Sequence, residues 1–383
     1  MHRIVFFTNS AGGHHPEYLH HLYHGVVKEG KIEAIFVVPR CFQEKKGLFP
    51  WEACDRISFD YVPDEAISWG DGKWYKRNYR FAKVMQKYVK IHHPDEVFML
   101  DPMICMPYLA FMVPRGTKVS GILYEIYQYR WHSLSYFRKI AALLWHWLLG
   151  RRKCFKNIFL LNDAETAQRD NQIYHTDHFR YLPDPYIPLP KPKEDFRQKY
   201  AISPTRKTFL HFGSMGRKKG TLEILESISC LSRDEQEKYC FVFAGCIQPV
   251  IHDEFYQRIN DLKSSSSIQI FIFDQFCSYE FLAGWCAACD AILVPYLEAY
   301  NSSGCIGYAA QFNKPVIGPE YGLLGKLIKE YQFGVQIPEV DTPHLLDAYK
   351  EVHRYTINGV EYLQENSVEN FCSAIFSDVT GKK

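Results

Sequence analysis

Short apolar runs alternate with longer amphipathic stretches along almost the whole chain. The runs are rich in β-branched and aromatic residues, and such runs separated by helices of 10–15 residues are typical of parallel sheets covered on both faces. The pattern therefore predicts an α/β protein. The predicted strands are Arg3–Phe7, Ala34–Val38, Glu96–Leu100, Lys118–Leu123, Asn157–Leu161, Thr208–Phe212, Cys240–Ala244, Ile268–Phe273, Ala291–Val294 and Pro315–Ile317. The predicted helices are Pro16–Glu29, Trp74–His92, Ser133–Leu149, Thr221–Leu231, Glu254–Lys263, Tyr279–Cys286 and Cys305–Phe312.

A proline-rich segment divides this alternation into two halves. Five prolines occur between Leu182 and Glu194, and proline disrupts both helices and central strands. We predict a stiff linker between two doubly wound, Rossmann-like domains. The predicted divisions are a first domain at 1–183, a linker at 184–194, a second domain at 195–358 and a helical tail at 359–383. One arrangement considered for the tail is packing back on the first domain.

Composition narrows the possible functions. The 383 residues include 45 Lys and Arg against 43 Asp and Glu, a net charge of +2. No global basic field is present, so nucleic-acid binding is not expected. The 12 cysteines are scattered, and we interpret them as reduced thiols of a cytoplasmic protein. The first strand begins at Arg3, so no signal peptide is predicted.

The loops that follow the predicted strands carry the candidate chemistry, because ligands of doubly wound sheets bind beyond the carboxyl ends of the strands. After the first strand, Gly12 and Gly13 allow a tight turn whose free N–H groups suit a phosphate or a sugar hydroxyl. A structural turn without a ligand is the alternative. His14 lies where that ligand would be. His20 and His24 have a spacing that suits a metal, but no third ligand accompanies them, and no metal site is predicted.

Two loops in the second half resemble each other in position. The segment Phe212–Gly220 follows a strand, opens a helix and contains three consecutive cations, Arg217 to Lys219. Its spacing matches neither a dinucleotide-binding nor a P-loop motif, so we predict a diphosphate site, with a solvated basic turn as the alternative. A polar loop carrying Glu298 follows the strand at Ala291, and a small-residue helix begins near Gly304.

The segment Asp290–Ile317 resembles the C-terminal signature of GT-B-fold glycosyltransferases, specifically the retaining family 4. In that family a strand, a proline, a polar loop and a helix lead to Lys-Pro-Val-Ile, which is found here at Lys314. Further segments are similar to family motifs in the same order along the chain. They are Gly12-Gly13-His14, Leu100-Asp101-Pro102, Leu182-Pro-Asp-Pro185, the phosphate loop Phe212–Gly220 and the base-stacking loop Phe273–Tyr279.

The resemblance implies a GT-B fold, in which two Rossmann-like domains face a central cleft. It implies transfer of a sugar from a nucleoside-diphosphate sugar to a saccharide or lipid-linked saccharide, with retention, in surface polysaccharide biosynthesis. No metal or cofactor is implied beyond the nucleotide-sugar co-substrate. The implied donor-binding residues are Gly12, Gly13, Gly213, Ser214, Arg217, Lys219, Ser302, Ser303 and Gly304, with Phe276 against the base. The candidate catalytic residues are Asp101, His14 and Glu298.

The sequence departs from the family pattern at two carboxylates. The E-x7-E pair falls on Tyr300 and Tyr308, and Glu298 is the nearest replacement for the first glutamate. The family's phosphate-loop arginine falls on Ser214, whereas its lysine falls on Lys219. Two alternatives therefore stay open: a sugar-nucleotide epimerase of the same fold, and a catalytically degenerate protein that binds a nucleotide sugar or a partner enzyme.

The segment 136–153 combines a short apolar stretch, two tryptophans and flanking cations. Its apolar part is too short to span a bilayer but suits a helix lying in the interface of an inner leaflet. A helix that covers the sheet is the alternative interpretation. Attachment to the inner face of a membrane would suit a lipid-linked acceptor.

Overall fold

The computed structural model describes residues 1–47, 49–70 and 73–380. The chain forms two compact units. The first contains Met1–Asp184 and the C-terminal segment from Val368, and the second contains Pro185–Ser367. The segment 359–383, predicted as a single tail, is thus divided between the two units.

Each unit is built on one parallel sheet. The first sheet has seven strands in the order β3-β2-β1-β4-β5-β6-β7, and the second has six in the order β10-β9-β8-β11-β12-β13. The strands are β1 (His2–Phe7), β2 (Ile32–Pro39), β3 (Ile57–Val62), β4 (Glu96–Met99), β5 (Lys118–Leu123), β6 (Phe155–Leu161), β7 (Phe179–Leu182), β8 (Lys207–Phe212), β9 (Tyr239–Ala244), β10 (Gln269–Phe273), β11 (Ala291–Leu293), β12 (Val316–Pro319) and β13 (Gly334–Ile337).

Helices connect successive strands, as parallel pairing requires. The helices are α1 (His15–Glu29), α2 (Phe42–Lys46), α3 (Asp64–Ile67), α4 (Trp74–His92), α5 (Leu109–Met112), α6 (Tyr136–Arg151), α7 (Ala164–Tyr174), α8 (Phe196–Lys199), α9 (Thr221–Ser229), α10 (Arg233–Lys238), α11 (His252–Ser265), α12 (Tyr279–Ala288), α13 (Gly304–Gln311), α14 (Gly322–Glu330), α15 (Thr342–Glu351), α16 (Val360–Glu365) and α17 (Val368–Thr380). Short 3₁₀ helices lie at Pro102–Cys105, Trp131–Ser133, Arg217–Lys219 and Val352–Arg354.

All ten predicted strands and all seven predicted helices are present, with ends that differ by a few residues. The doubly wound α/β prediction is therefore confirmed for both units. Three strands, β3, β7 and β13, were not predicted. No helix in the described ranges is both long enough and apolar enough to span a membrane.

The last helix, α17, completes the core of the first unit. Phe371 and Phe376 are fully buried, and the Phe376 ring lies 6.3 Å from that of Phe6 in β1. Gly25 in α1 permits this packing, because a Cβ there would lie 2.5 Å from the Phe376 ring. The Asp378 carboxylate accepts hydrogen bonds from Asn157 at 3.0 Å and from Arg180 at 3.1 Å. Both apolar packing and ionic contacts therefore fix α17 to this unit.

Candidate functional site

The loop after β8 in the second unit continues alongside the loop after β9. The Gly213 N–H donates to the Ala244 carbonyl at 2.9 Å, and the Met215 N–H donates to Cys246 at 2.9 Å. Ser214 is exposed and its hydroxyl accepts from the Gln248 amide at 3.1 Å. The start of this loop is therefore held by main-chain hydrogen bonds, which leaves Gly213 and Ser214 at the surface.

Gly220 ends the loop in a conformation that favours glycine. Its φ is +68°, and a Cβ at this position would lie 2.0 Å from the Pro295 carbonyl oxygen. A side chain would thus be strained and would also collide with the main chain of the loop after β11. Glycine at 220 brings the loops after β8 and β11 into contact immediately before α9 begins.

A buried histidine connects the same three elements. The His211 Nδ1 lies 3.0 Å from the Leu293 carbonyl oxygen, and its Nε2 lies 3.0 Å from the Thr221 hydroxyl. Burial lowers the pKa of His211 to about 4, so the ring is neutral at physiological pH. Nδ1 then donates to Leu293 and Nε2 accepts from Thr221. His211 therefore fixes β8, β11 and the first turn of α9 relative to one another.

The three consecutive cations of the loop differ in their partners. Arg217 is exposed and pairs with Glu254 at 2.8 Å, and Lys218 is exposed and pairs with Glu298 at 2.7 Å. Within the described part of the chain, Lys219 forms no ion pair. Lys219 is thus the cation of this loop that has no protein anion as its partner.

Lys219 lies against an aromatic ring that the sequence did not single out. Its Nζ is 3.6 Å from the centroid of the Tyr296 ring, a cation–π contact. Burial lowers the pKa of Lys219 from its ordinary value, and the neighbouring Cys305 opposes this shift. A desolvated ammonium attracts an anion more strongly than a solvated one.

Tyr296 also connects Lys219 to the first turn of α13. Its hydroxyl lies 3.1 Å from the Ser303 hydroxyl and 3.4 Å from the Cys305 sulfur. Ser303 precedes the helix without a side-chain cap, and the N–H groups of Gly304 and Cys305 have no hydrogen-bond partner among the described residues. Free N–H groups at a helix start attract anions. Lys219 and the start of α13 therefore both contact one buried tyrosine.

Glu298, a candidate catalytic residue, lies beside the cation loop. Its carboxylate pairs with Lys218, and its main-chain N–H donates to the Lys218 carbonyl at 3.3 Å. The resemblance described above would place the two motif glutamates at Tyr300 and Tyr308. Another carboxyl group, Glu223 in α9, was missed by sequence reasoning. Its Oε2 is buried without a partner among the described residues, and burial raises its pKa.

Glu223 and Tyr300 belong to the same neighbourhood. Burial raises the pKa of Tyr321, and Tyr300 and Glu223 raise it further by electrostatic interaction. The Tyr321 hydroxyl donates to the Tyr296 carbonyl at 3.1 Å. The Glu223 carboxyl group and Tyr300 therefore both lie close enough to Tyr321 to influence its pKa.

Phe276, predicted to stack on a base, lies in the loop after β10. Its side chain is 80% exposed. The loop itself is anchored through Asp274, whose carboxylate accepts from the Ile247 N–H at 2.8 Å and from the Tyr256 hydroxyl at 3.2 Å. The ring is thus presented on a fixed loop at the same edge of the sheet as Gly213 and Ser214.

In the first unit, the Gly12–Gly13 turn lies between β1 and α1. The Gly12 N–H donates to the Ser10 hydroxyl at 3.1 Å, and Gly13 has a φ of +60°. His14 immediately precedes α1, and its exposed ring lies 3.2 Å from the Glu17 carboxylate. His15 is instead partly buried, with Nδ1 at 2.6 Å from the Thr8 hydroxyl. Burial lowers its pKa to about 4, with a smaller contribution from His14.

Asp101 follows β4 at the neighbouring strand end. Its carboxylate accepts from the Met103 N–H at 2.9 Å. Burial raises the pKa of Asp101 to about 6, partly opposed by the hydrogen bond from Met103. Tyr124, after β5, has a buried hydroxyl without a partner in the described ranges, and burial together with Asp101 and Asp184 raises its pKa. Sequence reasoning missed Tyr124, although its position directly after a strand would have indicated it.

The fold can be compared with known proteins. No protein-family model matches the chain, and curated protein sequences give no significant match. Solved structures do match over the full length. WaaG, a glycosyltransferase involved in lipopolysaccharide biosynthesis, is 16% identical with a TM-score of 0.67, covering 100% of both chains. Sucrose-phosphate synthase from Thermosynechococcus elongatus is 13% identical with a TM-score of 0.70, again over 100% of both chains.

A third match is HepE from Anabaena, determined in complex with UDP-glucose, at 13% identity and a TM-score of 0.67 over 99% of both chains. Together with the two parallel sheets, these matches define the fold of the chain as GT-B. The sequence prediction of this fold is confirmed. Membership of the retaining family 4 and the roles of individual residues stay predictions.

Proposed function

We propose that the chain is a glycosyltransferase whose second unit binds a nucleoside-diphosphate sugar. The observation that carries the proposal is the Lys219 ammonium, which has no anionic partner within residues 1–47, 49–70 and 73–380 and lies against Tyr296, the side chain that also contacts the start of α13. A diphosphate would accept hydrogen bonds from this ammonium and from the free N–H groups of Gly304 and Cys305. Gly213, Ser214 and Ser302 would complete the site, and Phe276 would stack on the base.

In the proposed reaction the protein stabilises the leaving group. The nucleoside diphosphate gains negative charge as the glycosidic bond breaks, and preorganised cations and N–H groups stabilise this charge more in the transition state than in the ground state. Arg217 is proposed to assist by exchanging Glu254 for the phosphate. No metal or cofactor is part of the proposal. Retention would follow if the donor phosphate accepts the proton of the attacking hydroxyl on the same face.

The first unit is proposed to carry the acceptor, a saccharide or a lipid-linked saccharide of a surface polysaccharide. A protein base is optional when the donor phosphate accepts the proton. Asp101 is the first candidate for such a base, because a carboxyl group with a pKa of about 6 accepts a proton at neutral pH better than an ordinary aspartate. His14 is the second candidate. WaaG, whose fold is shared, is described as acting in lipopolysaccharide biosynthesis. The 12 free thiols suit a reducing compartment, so the reaction is proposed to be cytoplasmic.

Two other functions are compatible with this fold. An epimerase would interconvert two sugar nucleotides, and no free nucleoside diphosphate would accumulate. A degenerate binding protein would bind the donor without turnover, as the tyrosines at 300 and 308 suggest. Glu223 favours the transferase, since one buried oxygen of its carboxyl group has no hydrogen-bond partner among the described residues, and both Glu223 and Tyr300 influence Tyr321.

The proposal is tested first by binding and then by product analysis. UDP, GDP, ADP and their common sugar conjugates are titrated calorimetrically, with magnesium and with EDTA. We expect the nucleotides of one base to bind, both with magnesium and with EDTA. The preferred conjugate is then incubated with candidate glycan acceptors, and the products are analysed by NMR. Free nucleoside diphosphate and a glycoside of retained anomeric configuration support the proposal. A new sugar nucleotide supports the epimerase, and binding without any product supports the degenerate protein.

A further inference from the structure

Helix α6 of the first unit is apolar on two opposite faces. One face is buried in the unit through Ala142, His146 and Leu149. The other face is exposed to solvent and follows a regular helical spacing. Its side chains are exposed by 82% at Phe137, 47% at Ile140, 47% at Leu144 and 49% at Trp147. The burial of the first face does not account for the apolar character of the second.

The start of α4 packs against α6. The rings of Trp74 and Trp145 lie 5.6 Å apart, which brings the two helices into contact. Trp74 is 49% exposed, and Tyr75 and Tyr79 beside it are 38% and 42% exposed. We call the exposed side chains of Trp74, Tyr75, Tyr79, Tyr136, Phe137, Ile140, Leu143, Leu144 and Trp147 the aromatic surface.

The charge of the two helices has one sign. Together α4 and α6 contain nine of the chain's 45 Lys and Arg residues and none of its 43 Asp and Glu residues. One of these cations contacts a ring of the aromatic surface directly, because Lys83 Nζ lies 5.1 Å from the Tyr79 ring. The remainder of the chain contains more acidic than basic residues, so this concentration of positive charge is local.

We propose that the aromatic surface docks on an anionic lipid bilayer. The 16 residues of α6 form a helix about 24 Å long, suited to lying in the interface, where aromatic rings favour the headgroup region. The surrounding lysines and arginines would contact lipid phosphates. A second copy of the chain is a poorer occupant, because it would place the cations of two identical surfaces against each other.

This surface is separate from the residues proposed to bind the nucleotide, which belong to the second unit. The test of membrane binding can therefore fail while the proposed glycosyl transfer holds. Glycosyl transfer can likewise fail while membrane binding holds. The full-length protein is sedimented with phosphatidylcholine vesicles that contain one quarter phosphatidylglycerol, and with vesicles of phosphatidylcholine alone. We expect binding to the anionic vesicles only, weakened by raising the salt concentration.

Two sets of variants separate the apolar from the electrostatic contribution. Phe137→Ser combined with Leu144→Ser should reduce the vesicle partition coefficient at least tenfold. Ile173→Ser is the matched control, because Ile173 is 55% exposed on α7, outside the aromatic surface. Lys83→Gln combined with Lys87→Gln should reduce partitioning about fivefold per cation in low salt if both lysines contact the membrane. All variants should keep the melting temperature and the nucleotide affinity of the parent.

The proposal is overturned if the wild-type protein does not sediment with anionic vesicles, or if the serine double variant binds as well as the Ile173→Ser control. Sedimentation velocity without lipid tests the other occupant. A concentration-dependent dimer that the serine double variant abolishes would identify the surface as an interface between copies and would likewise overturn the proposal.

Discussion

Replacing Lys219 by methionine separates the charge of this side chain from its packing. Methionine is unbranched and apolar, so it can occupy the space of the lysine stem against the Tyr296 ring. The ammonium has no anionic partner among the described residues. The variant therefore breaks no ion pair, and its main effect should appear only when an anionic ligand is bound.

The expected magnitudes differ with and without ligand. In the free protein, relief from burying an unpaired polar group, about 1–3 kcal/mol, opposes loss of the cation–π contact, about 0.5–2 kcal/mol. The net change in the free energy of unfolding should then be below about 1 kcal/mol, or roughly 2–4 °C in melting temperature. With a nucleoside diphosphate bound, loss of a charged hydrogen bond worth about 1.5–3 kcal/mol should weaken the affinity about 10- to 150-fold.

The assay combines calorimetric titration of the preferred nucleoside diphosphate with melting curves of the free protein. Lys218→Met is the matched control, because Lys218 is the adjacent cation but is exposed and already paired with Glu298. Its substitution should change the affinity by no more than about threefold.

Two results would refute the reasoning. Equal weakening of binding by Lys218→Met and Lys219→Met would show that the loop acts only through its overall charge. A large loss of melting temperature in free Lys219→Met protein, with unchanged nucleotide affinity, would show that Lys219 is a structural residue.

Three further predictions concern stability. Asp101→Asn should raise the free energy of unfolding at pH 7.5 by up to about 3 kcal/mol. The raised pKa of Asp101 means that ionising this carboxyl group destabilises the folded wild-type protein as pH rises from about 4 to 6. Urea denaturation of both proteins at pH 7.5 and at about pH 4 measures the difference. The pH dependence expected from His211 is opposite: its lowered pKa makes the free energy of unfolding fall as pH drops from 6.5 towards 4. His211→Gln should therefore make the free energy of unfolding, measured by urea denaturation, less dependent on pH over this range. An unchanged slope against pH would contradict the prediction. Gly220→Ala should lower the free energy of unfolding by more than about 2 kcal/mol, because left-handed backbone strain adds to the collision with Pro295. Gly30→Ala is the control, with a φ of +65° and open space around its Cβ, and should lower it by about 1 kcal/mol. Equal losses of stability in thermal melts would refute the collision.

The strands that sequence patterns missed share one position in the fold. β3 and β7 are the two edges of the first sheet, and β13 is an edge of the second. A central parallel strand is buried on both faces and is therefore almost uniformly apolar, whereas an edge strand carries polar residues such as Asp60, Arg180 and Gln336. The apolar-run criterion therefore identifies central strands and underestimates the width of the sheets.

The candidate site was predictable only in part, for a related reason. Glycines and cations directly after strands are recognisable in the chain, so the loop from Gly213 to Lys219 was found. The partners of those residues were not. Tyr296 and His211 act through contacts between elements far apart in sequence, and Glu223 is an ordinary helix residue until burial isolates its carboxyl group. Glu254 and Glu298 pair with two of the three adjacent cations and leave Lys219 without an anionic partner among the described residues. No local sequence pattern contains that information.

The packing of α17 determines the order in which the chain can fold during synthesis. The second unit is continuous from Pro185 to Ser367, whereas the first needs Phe371 and Phe376, which are made after it. Each buried phenylalanine contributes about 1.5–3 kcal/mol, a large share of a typical net stability of about 5–15 kcal/mol. The unit that leaves the ribosome first is thus the last to become stable. We expect the apolar side chains that α17 covers beside α1 to stay exposed until then.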